Sequence, residues 1–328
     1  MKIALKELEE LAVRAIRNYG YDDCEIVIIR DMLMYAQLRG NNQGIVKLIG
    51  KGIPKDPGST DITIEKETPL SARINGNQNH AMIVLNKALE VVTDKVRSHG
   101  IGIAGTFNTS TSSGAIGYVA SEIARQGFVG FVFASGPPRV ATAGSFQPIF
   151  GTNPLAIGIP AKSGPIILDM STASMSFYGL VEAQTAGKEI PDDVAYDQEG
   201  KATTDPAMAI KGALRPFDRG YKGAGLAMIV EILAGPLVGA ACAGVGDPGR
   251  NWGHLAMAFD PDLFGDREEF INNVTTLIQK VKATKRLPDV DEIFVPGERG
   301  NRKAERIIAS GIIEIEDNLL EELRKVAG

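Results

Sequence analysis

The first part of the chain shows a helical pattern of apolar positions interrupted by one polar stretch. Apolar residues three and four positions apart predict an amphipathic first helix that ends near Gly20. A second, more aliphatic helix is predicted over residues 22–34, and a third over 82–96, where Gly100 ends it. The segment between them, 39–58, is polar and punctuated by glycine. The pattern therefore predicts three helices and one long loop.

Short apolar runs then alternate with turns as far as residue 172, which is typical of strands. The predicted strands start at Ile101 and lie at 130–134, 156–159 and 166–168, with one helix at 115–126. Beyond Gly223 the helical pattern returns. It predicts a long apolar helix, a loop rich in Gly and Pro up to Gly253, a strand at 254–259 and closing helices at 267–284 and 319–326.

The order of helices, mixed sheet and helices again indicates an α/β fold with two domains. Because helices stand at both ends, we expect a mainly helical, discontinuous domain of residues 1–72 plus 255–328. It would surround a central mixed-sheet domain of residues 73–254. A chain of 328 residues, 44% of them hydrophobic, is long enough for about two domains and a sizeable core.

Composition excludes several classes of function. The net charge is −5 with acids and bases interspersed, so no basic stripe favours a nucleic-acid partner. Cys24 and Cys242 lack CxxC spacing, which fits a reducing compartment. No signal peptide is visible, and Glu231 and Pro236 interrupt the most apolar stretch, 225–246, so no membrane span is expected. We expect a cytoplasmic protein.

Two literal GxGxxG patterns do not predict a Rossmann turn. That turn needs a strand before the glycines and a helix after them, because the helix N-terminus receives the pyrophosphate. Gly100–Gly105 follows a predicted helix and enters a strand, and 244–249 also follows a helix. There is no P-loop, HExxH, CxxC pair or GxSxG, so no metal site is predicted. A nicotinamide cofactor would need another mode of binding.

The densest cluster of polar and small residues lies in 151–225. Five short motifs sit there between apolar runs: Gly151–Pro154, Leu168–Thr172, Tyr196–Asp197, Thr203–Pro206 and Tyr221–Gly225. Glycine beside fixed polar groups suits close approach of the backbone to a charged ligand.

This block resembles the malate/L-lactate dehydrogenase family of nicotinamide oxidoreductases, the non-Rossmann type. The family includes ureidoglycolate, sulfolactate and diketogulonate enzymes and piperideine-carboxylate reductase. The resemblance implies a central mixed sheet that holds the cofactor, a helical domain from both termini, and a homodimer with the active site near the subunit interface. It also implies a small-molecule substrate and NAD(P)H, with NADH versus NADPH open.

The resemblance also implies which residues bind the cofactor. One segment supports the nicotinamide end, and in it Ser112 stands where the family commonly has a histidine of an Asn-x-x-His-x-Gly pattern. Lys222 and Arg299 are chemically suited to phosphate, although both are also ordinary surface cations. The implied cofactor residues are Ser112, Gly114, Ala115, Leu168, Asp169, Met170, Ser171, Thr172, Tyr221, Lys222, Gly297, Glu298 and Arg299.

Two readings stay open for several of these side chains. Asp169 is interpreted as a capping or turn acceptor, since Asp before Met-Ser-Thr favours hydrogen bonds to the backbone. Thr152 corresponds to a substrate contact in some family members. Asn153, before Pro154, would position substrate or cofactor, or else shape the turn.

One part of the resemblance fails, at the catalytic histidine. The family carries Arg-Gly, then Ser-His-Gly, with an Arg four residues after a His that donates the proton. Here Arg39-Gly40 is followed by Asn42 and Gln43 in the Ser-His places, with Lys47 in the Arg place. An amide has no titratable proton near neutral pH, so Gln43 can orient a carbonyl but cannot protonate an alkoxide. Lys47 would anchor a substrate carboxylate.

None of the remaining histidines is a clear replacement. Ser98-His99-Gly100 ends a helix, where His favours the dipole. His254 is interpreted as structural at a strand start. His80 stands ahead of a helix, where a lone His is also usually structural.

These residues lead to three hypotheses. The first is an NAD(P)H-dependent reductase of a cyclic imine, which can bind already protonated and then needs no enzymic acid. The second is 2-oxo acid/2-hydroxy acid chemistry with a substitute acid: Tyr178, Asp197 or Lys222. The third is an altered enzyme or a silent nucleotide-binding scaffold. With Lys47, Tyr178 and Asp197 as catalytic candidates beside Asn42 and Gln43, we favour an oxidoreductase.

Overall fold

A computed structural model describes residues 1–243, 245 and 251–328. Of the second glycine pattern, 244–249, all but Val245 lies outside these residues. The helices are α1 (Leu5–Asn18), α2 (Asp23–Leu38), α3 (Ala81–His99), α4 (Gly117–Arg125), α5 (Phe177–Thr185), α6 (Pro206–Lys211), α7 (Tyr221–Ala234), α8 (Arg267–Lys282), α9 (Glu298–Ser310) and α10 (Asp317–Ala327). The strands are β1 (Lys2–Ala4), β2 (Thr63–Glu67), β3 (Ser71–Asn75), β4 (Ile101–Thr109), β5 (Val129–Ala134), β6 (Val140–Ala141), β7 (Pro148–Phe150), β8 (Leu155–Ile159), β9 (Ile166–Met170), β10 (Ala195–Tyr196), β11 (Ala213–Leu214), β12 (Trp252–Phe259) and β13 (Ile312–Glu314).

The two ends of the chain meet in one helical layer. Strand β1 pairs antiparallel with β13, and α1 packs against α10. The apolar face that predicted α1 is buried, including Leu8 and Ile16. Asp22 and Glu25 form a capping box that starts α2, and this helix continues past the predicted end to Leu38. The first turn of α2 is therefore fixed by local hydrogen bonds. The C-terminal end of the same helix reaches the candidate site.

A seven-stranded mixed sheet forms the centre of the fold, in the order β2-β3-β4-β12-β5-β8-β9. Strands β3 and β4 run parallel, whereas the other neighbours are antiparallel. Helices α3 and α4 pack on this sheet through buried Val, Leu and Ile side chains. This arrangement confirms the prediction of an α/β fold with a central mixed sheet.

The glycines of the first GxGxxG pattern serve packing. Gly100 ends α3 in the left-handed region with φ +77°, and β4 follows directly, so the predicted order of helix then strand is confirmed. A Cβ at Gly102 would collide with the Val92 carbonyl of α3. A Cβ at Gly105 would lie 2.6 Å from Val238. These glycines let a helix and a loop lie close to the central strand.

A smaller sheet, β10-β11-β6-β7, packs over a second apolar cluster that includes Val140, Leu180 and Leu214. Helix α7 contributes Ala227 to this cluster. The division into domains at 72/73 and 254/255 stays a prediction; those points fall within β3 and β12, two strands of the large sheet.

Helix α9, which contains two of the implied cofactor residues, was not predicted. Gly297, with φ +84°, precedes it, and Glu298 and Arg299 form its first turn. Helices α5 and α6 and the β2–β3 hairpin were also not predicted. Within the described ranges, no helix has the length and apolar character needed to cross a membrane.

Candidate active site

The end of α2, strand β9 and the start of α9 enclose a cavity of about 440 Å³. This volume lies in the range of small-molecule sites. It brings together three parts of the chain singled out in the sequence: the atypical loop at 39–44, Asp169 and Gly297. The lining residues are Tyr35, Ala36, Arg39, Gly40, Asn41, Asn42, Ile167, Asp169, Gly297, Gly300 and Asn301.

Arg39 fixes one wall of this cavity. Its guanidinium lies 3.7 Å from the centroid of the Tyr35 ring, one helical turn earlier in α2. The Nε atom donates to Asn301 Oδ1 of α9 at 3.0 Å. Because these bonds join α2 to α9, Arg39 holds the two helices around the cavity. From the sequence, Arg39 was identified only as the start of a motif. No sequence pattern indicates the contact between Arg39 and Asn301.

Asn42 and Gln43 lie together at the cavity edge. Asn42 Nδ2 donates to Ser176 Oγ, the N-cap of α5, at 2.7 Å. Gln43 Nε2 lies 3.4 Å from Asn42 Oδ1, and the Gln43 backbone N donates to Asn41 Oδ1 at 3.0 Å. The atypical loop is thus tied to the start of α5. These amides can donate or accept hydrogen bonds, but they offer no proton for transfer near neutral pH.

Lys47 lies behind this loop, in a short 3₁₀ turn at Ile45–Leu48. Only 2% of its surface is exposed. Its Nζ donates to Ser112 Oγ at 2.7 Å and lies 3.8 Å from the centroid of the Tyr178 ring. Burial lowers the pKa of Lys47 from its usual 10.5 to about 7. In the part of the chain that the structure describes, no carboxylate forms an ion pair with this ammonium.

The structure thus joins three predicted residues that are far apart in sequence: Lys47, Ser112 and Tyr178. Ser112 itself is exposed, whereas the ammonium behind it is not. The exposed Ser112 thus lies directly beside a buried ammonium, and neither residue is part of the cavity lining. Burial also raises the pKa of the Tyr178 phenol.

Two buried histidines surround the Ser112 loop. His254 Nδ1 lies 2.7 Å from Thr106 Oγ1, and His254 Nε2 lies 2.7 Å from Ser113 Oγ. Both ring nitrogens are thereby used, as expected of a structural histidine. His80 Nδ1 accepts from the Met82 N–H at 3.2 Å, but its buried Nε2 has no hydrogen-bond partner in the structure. Burial, assisted by the charge on Lys47, lowers the pKa of His80 to about 3.

Asp169 joins the cavity to the first turn of α4. Its Oδ2 accepts from the Gly117 backbone N–H at 3.0 Å. Burial raises the pKa of this carboxyl to about 6, although the hydrogen bond from Gly117 opposes the shift. The interpretation of Asp169 as a backbone acceptor agrees with this contact, but the donor is an N–H group of a distant helix and not of the local turn.

Of the implied cofactor residues, Asp169 and Gly297 line the cavity, and the others do not. Thr172 is fully buried, and its N–H and hydroxyl both donate to the Thr152 carbonyl, at 2.9 and 3.1 Å. The Ser171 hydroxyl donates to the Ala173 carbonyl at 3.2 Å. Leu168 and Met170 pair with β8. In the Ser112 loop, Gly114 has φ +74° and Ala115 is buried.

At the start of α9, Glu298 and Arg299 have different roles. Glu298 accepts from Lys282 and from Arg302, the latter at 2.6 Å, and Arg302 also pairs with Glu292. Arg299 is exposed, and its guanidinium lies 4.8 Å from the centroid of the Phe294 ring. Glu298 is therefore held in an ion-pair network, whereas Arg299 remains accessible to a ligand.

Four other sequence candidates lie outside the cavity lining. Tyr221 and Lys222 form the exposed first turn of α7. The Asp197 carboxylate accepts from the Glu199 and Lys201 N–H groups at 2.9 Å in a turn. Asn153 is fully buried, and its amide donates to Glu231 Oε2 of α7 at 2.6 Å. This contact favours the turn-shaping reading of Asn153, and the binding roles of all four residues stay predictions.

The cavity walls fit part of a dinucleotide. Arg39 and the Lys303 ammonium, which lies against Gly40, place positive charge where a phosphate would sit. Arg299 follows within the same first turn of α9 as the lining residue Gly300. The backbone N–H groups of Gly297, Arg299 and Gly300 add donors at a helix N-terminus, whereas those of Glu298 and Asn301 donate to the Val295 and Gly297 carbonyls. Hydrogen-bond partners for a ribose hydroxyl would come from the carboxyl group of Asp169 and the side-chain amides of Asn42 and Asn301.

Comparison with known proteins supports the same conclusion. The family model described as malate/L-lactate dehydrogenase matches residues 3–324. The chain is 37% identical over 313 residues to L-sulfolactate dehydrogenase of Methanothermobacter thermautotrophicus, covering 92% of this chain and 89% of the relative. It is 30% identical over 304 residues to the Δ1-pyrroline-2-carboxylate/Δ1-piperideine-2-carboxylate reductase of Pseudomonas aeruginosa, covering 88% and 90%.

A solved structure agrees with the whole architecture. Malate dehydrogenase from Pyrococcus horikoshii OT3 superimposes with a TM-score of 0.88 at 29% identity, covering 100% of this chain and 94% of the other. The sheet order, the cavity and these matches lead to one assignment. This chain belongs to the malate/L-lactate dehydrogenase family and is an oxidoreductase of the nicotinamide-dependent type.

Proposed function

We propose that this enzyme is an NAD(P)H-dependent reductase of a small anionic molecule, acting on the C=O of a 2-oxo acid or the C=N of a cyclic imine carboxylate. The observation that carries the proposal is the buried Lys47 ammonium, whose partners among the described residues are a hydroxyl and an aromatic ring. A buried charge without a counter-ion is costly, and an anion bound beside it would remove much of that cost.

The position of Lys47 supports this substrate class. Its charge lies directly behind the exposed Ser112 hydroxyl, so an anionic group held at Ser112 would lie next to the ammonium. Attraction between the two is stronger there than in water, because the local dielectric is low. The relatives agree with this inference, since their names refer to sulfolactate, malate and cyclic imine carboxylates, all of which are anions.

The residues around the cavity would bind and orient the reactants. A bound nicotinamide cofactor supplies the hydride. Arg39, Lys303 and Arg299 would neutralise its phosphates, and Asn42 would hold the loop against α5 through Ser176. Fixed geometry of this kind removes part of the entropic barrier to hydride transfer. Gln43 would orient the substrate without changing its protonation state.

An imine substrate is favoured by the amides at 42 and 43. An iminium ion binds already protonated, and hydride addition then gives a neutral amine without an acid in that step. The decisive measurement is the oxidation of NADH and NADPH in the presence of a panel of 2-oxo acids and cyclic imine carboxylates. It is followed at about 340 nm, where the reduced nicotinamide absorbs. Turnover of either group supports the reductase. Cofactor binding by calorimetry without any turnover would favour a silent nucleotide-binding scaffold.

Replacing Gln43 tests the atypical loop. Gln43→His places a titratable group where the family carries one, and we expect faster reduction of 2-oxo acids than in the unmodified enzyme. Gln37→His is the matched control, because Gln37 is a nearby glutamine whose side-chain oxygen accepts a hydrogen bond from the Ile45 backbone N–H. If Gln43→His leaves the ratio of 2-oxo acid to imine turnover unchanged, the amide does not direct the chemistry.

The choice between NADH and NADPH is proposed to depend on Arg299. Arg302 is held by Glu292 and Glu298, whereas Arg299 is exposed and forms no ion pair with the acidic residues that the structure describes. An arginine fork suits a 2′-phosphate. We expect Arg299→Gln to raise the KM for NADPH more than that for NADH. An equal effect on both would exclude recognition of the 2′-phosphate by this residue.

A homodimer remains part of the proposal. Helix α7 exposes a row of large apolar side chains, with Met228, Ile229 and Ile232 each more than 40% exposed. A patch of this kind is typical of a covered surface. Light scattering on the purified protein would show a mass of twice 35.0 kDa if the proposal is correct.

A further inference from the structure

The hydrogen bond between Lys47 and Ser112 has a direction. An ammonium has only donors, so Lys47 Nζ donates and Ser112 Oγ accepts at 2.7 Å. The Ser112 hydroxyl hydrogen is therefore left free to point at another acceptor. Because Ser112 is exposed and Lys47 is not, that acceptor lies on the accessible side of the loop. The pair is a two-membered chain of donors from the interior to the surface.

The other titratable groups near Lys47 do not compete for this role. His80 uses Nδ1 as an acceptor for the Met82 N–H, so its Nε2 carries the proton of a neutral ring. Tyr178 presents its ring face to the ammonium, which stabilises the positive charge through the π system. His254 is joined to Thr106 and Ser113 by both nitrogens. Among these described neighbours, Lys47 is the group able to release a proton toward Ser112.

We propose that the Ser112 hydroxyl protonates the substrate oxygen in reduction of a 2-oxo acid, and that Lys47 supplies that proton through Ser112. This inference rests on the proposed reductase function and names the acid that the amides at 42 and 43 lack. The pair would let the enzyme reduce a 2-oxo acid without a titratable group at 42 or 43, whereas an iminium would not require it.

The step balances in atoms and charge. Hydride adds to the carbonyl carbon, and the C=O π electrons move to the oxygen. The Ser112 O–H gives its proton to that oxygen, and a Lys47 N–H gives its proton to Ser112 Oγ. The products are a 2-hydroxy acid, the oxidised nicotinamide and a neutral Lys47 amine. Water then returns one proton to Lys47 before the next turnover.

The ionisation of Lys47 suits the step. A general acid is most effective when its pKa lies near the working pH, and burial brings the pKa of Lys47 to about 7. An arginine in the same place would keep its proton at any ordinary pH. Lys47, in the family's arginine place, and Ser112, in the place of the histidine of the Asn-x-x-His-x-Gly pattern, are thus two departures that the structure brings into contact.

Variants of Ser112 provide the first test. Ser112→Ala removes the relay, and we expect kcat for a 2-oxo acid to fall by about 10²–10³-fold, within the usual contribution of general acid catalysis. Ser112→Thr keeps a hydroxyl and should retain most of the activity. Ser110→Ala, in the same loop, is the matched control because Ser110 bonds only weakly to the Asn79 carbonyl, at 3.5 Å. Ser110→Ala should leave the turnover of both 2-oxo acids and cyclic imines close to that of the parent enzyme.

Variants of Lys47 provide a test by pH. In the unmodified enzyme, kcat for a 2-oxo acid should fall as the pH rises above the pKa of Lys47, since the donor is then unprotonated. Lys47→Arg should lose both this dependence and most of the activity. Lys55→Arg is the matched control, because Lys55 is partly buried but paired with Glu25 at 2.7 Å. A pH profile for Lys47→Arg equal to that of the parent enzyme would overturn the proposal.

A measurement without cofactor separates this proposal from the proposed function. Oxamate, a stable analogue of a 2-oxo acid, is titrated at pH 8 in buffers of different ionisation enthalpy. Calorimetry should show uptake of roughly one proton by the parent enzyme, because the bound anion recharges Lys47, and none by Lys47→Arg. If no substrate is reduced at all, the proposed function fails. If 2-oxo acids are reduced equally by Ser112→Ala, only the proton relay fails.

Discussion

At the scale of single residues, the buried charge of Lys47 lowers the stability of the folded protein. At pH 7 we expect Lys47→Met to raise the free energy of unfolding by an amount on the order of a few kcal/mol, which is measured as a higher urea midpoint than that of the parent. The variant should also lose 2-oxo acid reduction. The folded pKa of about 7 lies below the unfolded value, so the penalty is complete below pH 7 and disappears toward pH 10.5. The gain should therefore be largest at low pH.

The control is Lys55→Met, which removes a cation paired with Glu25 and should give no gain in stability. A lower urea midpoint for Lys47→Met than for the parent would show that the buried ammonium is already compensated.

Sequence patterns revealed part of this residue-scale arrangement. A lysine within the apolar run Ile45–Ile49 is an unusual position, and Lys47, Ser112 and Tyr178 were each candidates. Their contact was not predictable, because 65 residues separate Lys47 from Ser112 and no periodicity links a 3₁₀ turn to a distant loop. Ser176 and Asn301, which hold Asn42 and Arg39, were missed for the same reason.

At the scale of elements, the first turn of α4 depends on a glycine that faces Asp169. A Cβ at Gly117 would lie 2.5 Å from Asp169 Oδ2 and 2.8 Å from Asp169 Cβ. We expect Gly117→Ala to lower the free energy of unfolding by about 1–3 kcal/mol, as overpacking does, and to weaken cofactor binding measured by fluorescence. Gly225→Ala in α7, where nothing lies within 4 Å, should be neutral or stabilising.

Equal unfolding free energies for Gly117→Ala and the parent would mean that β9 moves away from α4 at no cost, and that the contact does not position Asp169.

Helices with a strong apolar period were predicted, and weakly patterned ones were not. The buried faces of α1 and α3 stand out in the sequence, as does the stop at Gly100. Helix α9 buries only Ala304 and contains few apolar residues, so no helix was predicted there. The error matters, because Glu298 and Arg299 then belong to a fixed helical turn and face different partners.

At the scale of the whole molecule, two buried neutral histidines set the resistance to acid. Burial lowers the pKa of both His80 and His254 to about 3, below the unfolded value of 6.5. The unfolded chain binds more protons in this window, so stability is complete above pH 6.5 and falls as the pH drops toward 3, by roughly several kcal/mol. Urea midpoints measured from pH 7 to pH 4 should decrease steadily.

His254→Asn should flatten this decrease, whereas His99→Asn, at the exposed end of α3, should leave it unchanged. An acid profile for His254→Asn as steep as that of the parent would show that carboxyl groups, and not the buried imidazole, set the limit.

The central strand of the large sheet comes from late in the chain. Strand β12 pairs with β4 on one side and β5 on the other, over Trp252–Phe259. During synthesis on a ribosome, β4 and β5 are both made more than a hundred residues before the strand that joins them. Until β12 is made, the edges of β4 and β5 that pair with it remain unpaired. Such a topology folds slowly and favours aggregation. Completion of the sheet is a late event in translation, and fragments that end before residue 252 lack its middle strand.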